Sequence, residues 1–191
     1  MTNIILFGPP GAGKGTQAER IRDNYNFLHI STGDVFRFNI KNETELGKRA
    51  KSFIDRGELV PDDVTIKMLA GEIEKADDKN GIIFDGFPRT KAQADALDDL
   101  LNEQNEKIDA LISLEVDDEI LTERLKERGK TSGRKDDADE NVIKNRIQVY
   151  YTETEIVKDH YKQQEKLHEV DGVGSIEDIT KRLNNVIDQL I

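Results

Sequence analysis

The sequence predicts an α/β fold, a three-layer sandwich in which a five-stranded parallel sheet lies between two layers of helices. Three observations predict it. Short apolar runs recur at 4–7, 28–30, 82–84, 111–114 and 167–170, and runs with little polar alternation are what strands covered on both faces require. Helical patterns fill the intervals, so strands and helices alternate along the chain. The first run, Ile4-Ile5-Leu6-Phe7, leads into Gly8-Pro9-Pro10-Gly11-Ala12-Gly13-Lys14-Gly15-Thr16, a glycine-rich turn of the P-loop kind that opens a helix.

That turn organises the rest. Gly11, Gly13 and Gly15 let the backbone curl with its N–H groups inward, and the following helix start and the Lys14 ammonium add positive charge where phosphates would sit. The spacing fits G-x-x-x-x-G-K, but Gly15 follows the lysine and the hydroxyl comes one place later, at Thr16. A displaced hydroxyl implies that Mg²⁺ is held mainly by nucleotide and water, with little direct ligation by protein. After the second run, residues 31–60 carry no strand pattern. Short helical patterns at 35–40 and 46–54 end at Arg56-Gly57, and Pro61-Asp62-Asp63 starts a helix with Val64, Met68 and Ile73 facing inward. A further helix begins near Asp118 and puts Arg124 and Arg128, four apart, on one face. Gly129-Lys130-Thr131-Ser132-Gly133-Arg134-Lys135 then forms a short polar segment between two helices. The last helix keeps Ile176, Ile179, Leu183, Val186, Ile187 and Leu190 on one face, and Ser175 with Asp178 resembles its N-cap. The charged stretches 77–80 and 136–140 read as solvated loops and helix starts. Segments 31–60 and 128–137 read as covers over the sheet's C-terminal edge, where open parallel sheets bind ligands. The core is then 1–30, 61–127 and 138–191.

Composition narrows the function classes. A chain of 191 residues fits one domain with a substantial interior. A net charge of −11 argues against nucleic acid and against an anionic membrane surface as partners, so any nucleotide site is a basic pocket inside an acidic envelope. With no cysteine there is no disulfide and no thiolate metal site, zinc included. No apolar stretch reaches membrane-spanning length and Met1-Thr2-Asn3 leads directly into the first strand, so the expectation is a soluble cytoplasmic protein.

Two further motifs sit at strand ends. Ser31-Thr32-Gly33-Asp34-Val35-Phe36-Arg37 follows the second run and, taken alone, reads first as a helix cap. Asp85-Gly86-Phe87-Pro88-Arg89 follows the third, and a carboxylate there is placed to hold a water of a Mg²⁺ shell, the alternative being a turn carboxylate. Arg37, Arg89, Arg124, Arg128, Arg134 and Arg146 cluster near these motifs and the polar segment, and guanidinium groups grip phosphate in two-pronged fashion. His29, His160 and His168 lie outside the motifs and read as structural or surface groups.

On the motifs at 8–16, 31–37, 85–89 and 134–137, the chain resembles the adenylate kinase family along nearly its whole length, in the form with a short cover. The resemblance implies reversible phosphoryl transfer from MgATP to AMP, giving two ADP, by a monomer without zinc. It implies that Gly11, Ala12, Gly13, Lys14, Gly15, Thr16 and Arg128 bind ATP, with Gly174 at the adenine. Thr32, Arg37, Glu58, Leu59, Val60, Gly86, Phe87, Pro88, Arg89 and Gln93 would bind AMP. Arg134 and Arg146 would straddle both phosphate groups, with Lys14, Arg89, Arg124 and Arg128 completing the catalytic set and Asp85 reaching Mg²⁺ through water. Two alternatives remain at this point: a UMP/CMP kinase, differing in the base pocket, and an adenine-nucleotide sensor without turnover.

Overall fold

The five apolar runs become the five strands of one sheet: β1 (Thr2–Phe7), β2 (Phe27–Ser31), β3 (Gly81–Asp85), β4 (Ala110–Glu115) and β5 (Leu167–Asp171). Their order is β2-β3-β1-β4-β5 and every neighbouring pair is parallel. The computed structural model describes residues 1–74 and 79–191; residues 77 and 78 of the expected solvated stretch at 77–80 lie outside them.

Burial on both faces explains the unbroken apolar runs. Along β1, Ile4 and Leu6 enter one core cluster and Ile5 and Phe7 the other. The first cluster packs α1 (Lys14–Tyr25), α6 (Asp118–Ser132), α7 (Glu140–Val149) and α9 (Ile176–Ile187) on one face of the sheet. The second packs α4 (Asp62–Ile73), α5 (Lys91–Asn102) and α8 (Val157–Lys162) on the other. The last helix carries the expected cap, with the Asp178 N–H donating to Ser175 Oγ at 3.1 Å. Ile176, however, is an exposed residue at its first turn: the apolar face begins at Ile179, one turn further in.

Segment 31–60 folds as α2 (Thr32–Lys41) and α3 (Glu45–Arg56) around a third, smaller core of Phe36, Ala50, Val60 and Val64, against which Leu46, Phe53, Ile54 and Met68 pack. Val64 and Met68 belong to α4, so the helix begun by Pro61 is shared between this small core and the main one, which Ile73 enters. The polar segment before Asp137 is more helical than its composition predicts. Helix α6 runs on through Gly129 to Ser132 and stops at Gly133, whose φ of 67° suits a left-handed C-cap. A single 3₁₀ turn at Lys135–Asp137 follows.

Helices α2 and α3 cross at Gly47, where a side chain would press a Cβ to 2.1 Å from the Asn39 carbonyl oxygen. Gly47→Ala is therefore expected to destabilise the chain by about 1–3 kcal/mol through backbone displacement, read as a lowered midpoint in urea unfolding. An unchanged midpoint would show that the crossing is not tightly fitted.

Candidate active site

Strand β1 leads sideways to β2 through α1, whereas β3, its neighbour, leads to β4 on the other side. Such a divergence opens a crevice at the carboxyl ends of the strands, and one cleft of about 360 Å³ occupies it. The phosphate-type loop forms its floor. Gly8, Gly11 and Gly13 take φ of 138°, 88° and 94°, so the curl is made by these three. Gly15, expected to share in it, is an ordinary residue of the first turn of α1. Its missing side chain matters differently: a Cβ there would sit 3.8 Å from the Asp85 carboxylate. Helix α1 has no side-chain cap and no acidic residue in its first turn, which leaves its N-terminal amides for an anion.

Six cationic side chains line the same cleft: Lys14, Arg37, Arg89, Arg128, Arg134 and Arg146. They come from six separate elements or turns of the chain, and aspartates and carbonyls hold them there. Asp137, whose side chain is fully buried, receives Arg128 Nε at 2.6 Å and Nη2 at 3.0 Å while also receiving Arg146 Nη1 at 2.5 Å. Asp136 adds a second carboxylate to Arg146, at 2.9 Å. Asp34, in the first turn of α2, receives Arg37 at 2.5 Å and lies 3.7 Å from Arg134 Nη2, so it spans the two expected covers. Arg89 Nε donates to the Gly86 carbonyl at 2.7 Å, and Lys14 Nζ donates back to the carbonyls of Gly8 and Pro9 at 2.7 and 2.9 Å.

Charge crowding shows in the proton affinities. Part of Lys14 is exposed, but its ammonium is enclosed by protein, and this burial pulls its pKa down to about 8. Asp85 opposes the shift, whereas Arg89, Arg146 and Arg128 add to it. Arg89 drops to about 10 through burial and then the Arg146 guanidinium, although one side of the residue faces open cleft. Burial followed by Arg37 and Arg128 lowers Arg134 as well. Burial alone would raise Asp137, but Arg128 and Arg146 outweigh it and hold the carboxyl below its ordinary range. Without its acids the cleft is therefore a place of mutual repulsion that a polyanion relieves.

A family model described as adenylate kinase matches residues 6–166. The chain is 60% identical over 190 residues to an adenylate kinase of Flavobacterium psychrophilum and 57% identical to one of Flavobacterium johnsoniae, with the whole of both chains covered in each comparison. An adenylate kinase of Bacteroides fragilis is 48% identical over the same span. The chain belongs to the adenylate kinase family.

Most residues singled out in the sequence meet in this cleft. Gly11, Gly13, Lys14, Gly15 and Thr16 line one end, and Thr32, Arg37, Glu58, Leu59, Val60, Phe87, Pro88, Arg89 and Gln93 line it with Asp85 and Gly86. Ser31 caps α2 by accepting the Asp34 N–H at 3.3 Å while Thr32 and Arg37 face the cleft. The motif is thus both a cap and part of the wall.

Three expected members of this adenylate kinase site are not among the lining residues: Ala12, Arg124 and Gly174. Ala12 is buried under the loop. Arg124 lies against backbone, its Nη2 donating to the Gly172 carbonyl at 3.1 Å and its Nη1 3.5 Å from the Ala12 carbonyl. It ties the loop to the turn that carries Gly174, and its equal spacing with Arg128 on α6 gave no sign of that difference. The Asp85 carboxylate faces the start of α1, where a Cβ on Gly15 would lie 3.8 Å from it.

The sequence reading gave no role to the groups that aim the arginines, namely Asp34, Asp136 and Asp137. The one available signal was that these acids stand among arginines in otherwise conspicuous motifs. It also set His29 aside, yet His29 lines the cleft with Nε2 3.3 Å from Asp85 Oδ2.

The lowered Lys14 pKa has a measurable sign. A bound polyphosphate favours the ammonium and raises that pKa, so binding takes up a proton above about pH 8 and weakens as pH rises through that value. Calorimetry of ATP binding near pH 8.5 in buffers of different ionisation enthalpy should show net proton uptake, absent in Lys14→Met. Uptake that persists in the variant would assign the proton elsewhere.

Proposed function

We propose that the chain catalyses the reversible transfer of the γ-phosphoryl group of MgATP to the phosphate of AMP, giving two ADP, with the residues of this cleft in the following roles. The observation that carries the reading is the concentration of six cations around one crevice of an otherwise acidic protein. Lys14, Gly13, Gly15 and Thr16 take the ATP phosphates with the α1 amides, and Arg128 joins them from α6. Arg37 and Arg89 take the AMP phosphate. Thr32, Val60 and Gln93 enclose its base with the backbone of Glu58 and Leu59. Arg134 and Arg146 stand between the two phosphate groups.

The chemistry needs no general base, because the attacking oxygen belongs to a phosphate monoester whose second pKa is about 6. His29, in the cleft, is engaged with Asp85. What must be overcome is repulsion between two anions and the charge on the oxygens of an in-line, loose transition state. Positioned guanidiniums and the lysine do this electrostatically, most strongly when water is excluded. Mg²⁺ bound with ATP would supply positive charge to the phosphate oxygens, and Asp85 would hold it through a water.

Segments 31–60 and 128–137 act as covers over the two nucleotides. A separate small core under the first and the Asp34 pairing with both Arg37 and Arg134 support this, since the first segment packs as a unit and charge joins it to the second. Closure keeps water from accepting the phosphoryl group.

Lys14→Met should lower kcat by about two orders of magnitude or more while leaving the unfolding midpoint undiminished, because the ammonium acts on phosphate charge. Turnover close to that of the unaltered protein would remove the loop from the mechanism. Thr32 Oγ1 donates to the Gly86 carbonyl at 2.8 Å in the base pocket. Thr32→Ala should reduce preference for AMP over CMP and UMP by about tenfold with little change in KM for ATP, measured by initial rates with each acceptor. Equal loss for all acceptors would contradict the assignment.

A further inference from the structure

Gln93 is 2% exposed yet lines the cleft, and both ends of its amide already have partners. The Arg89 N–H donates to Oε1 at 2.8 Å, and Nε2 donates to Asp62 Oδ1 at 2.8 Å. Asp62, at the start of α4, also receives the Thr90 hydroxyl at 3.1 Å on the same oxygen. These partners admit one orientation only. A backbone N–H can only donate and an ionised carboxylate can only accept, so turning the amide over would face N–H against N–H and oxygen against oxygen. The flip is dictated by chemistry, independently of how oxygen and nitrogen are told apart by shape.

An amide fixed in this way keeps one N–H and one oxygen lone pair unused, so it offers a donor beside an acceptor in fixed order. Adenine is the complement, with its exocyclic amine donating next to a ring nitrogen that accepts. A 6-oxo purine presents the reverse, a carbonyl beside a ring N–H, and would need the other flip.

We infer that Asp62, a residue outside the cleft wall, sets the acceptor specificity by completing, with the Arg89 N–H, the lock on the Gln93 amide in the orientation that reads a 6-amino purine and rejects a 6-oxo one. The inference rests on Gln93 lying in the monophosphate base site. Asp62 is a positioning residue and touches no substrate. A locked amide leaves a wrong base with two facing donors and two facing acceptors, a mismatch that buried sites penalise heavily.

The test compares initial rates with AMP, IMP and GMP as acceptors at saturating ATP. In Asp62→Ala the ratio of kcat/KM for AMP to that for IMP should fall at least tenfold, chiefly through KM for AMP, with KM for ATP unchanged. Asp62→Asn keeps the shape and one acceptor but adds a donor, so only the Arg89 N–H still holds the amide one way and the ratio should fall by about threefold. This isosteric variant carries the test if the alanine variant does not fold, as judged by thermal unfolding. A merely structural role for Asp62 lowers all acceptors together, and a ratio preserved within twofold in the folded variants overturns the inference. Gln93→Leu separates the two levels: if it abolishes discrimination while the Asp62 variants retain it, the lock is wrong and the base site stands. If Gln93→Leu leaves discrimination intact, the placement of Gln93 falls and takes the lock with it.

Discussion

Like charges brought close together are the constraint around which this molecule is built. Six cations share one crevice, and Lys14, Arg89 and Arg134 hold their protons less tightly there, through burial first and neighbouring guanidiniums second. The fold opposes the repulsion with carboxylates placed beside the arginines, buried at Asp136 and Asp137 and exposed at Asp34. Asp137 joins α6 to α7 through Arg128 and Arg146, and Asp34 joins α2 to the turn after α6 through Arg37 and Arg134. Removing one such acid would release two cations rather than one, which is why buried charge networks fail as units.

The layout of the sheet follows from the same need. A parallel sheet delivers every strand's carboxyl end to one edge, so the glycine loop after β1, the motif after β2 and Asp85 at the end of β3 meet although they lie far apart in the chain. Arginines on the covering segments complete the ring from above. Shape comes from apolar burial below this edge, where both faces of β1, β3 and β4 are sealed by helices. Charge chemistry is confined to a margin that the core does not need for its stability.

The sheet was legible because its signal is local: a strand buried on both sides is apolar almost throughout, as β1, β3 and β4 are, and the edge strands β2 and β5, which admit His29, His168 and Glu169, still fell into the same alternation with helices. The phosphate loop was legible for the same reason, its backbone demands being written in consecutive glycines. What escaped was direction. Arg124 and Arg128 lie on one face of one helix, yet one guanidinium rests on backbone carbonyls and the other lines the cleft, a difference set by Gly172 and Asp137 far away in sequence. His29 was equally opaque, since its place beside Asp85 depends on the pairing of β2 with β3 and not on anything near it in the chain. Helix α6 outran its expected end because Gly129 and Gly133 look alike in sequence, while only Gly133 adopts the left-handed backbone that stops a helix.

The carboxylate shared by Arg128 and Arg146 carries one more consequence. Those two guanidiniums share one internal anion, with Asp136 a second carboxylate on Arg146, so an arriving phosphate meets charge that is already partly balanced from behind. The charge that recruits it is then less than the count of arginines, and its dependence on ionic strength should be correspondingly shallower.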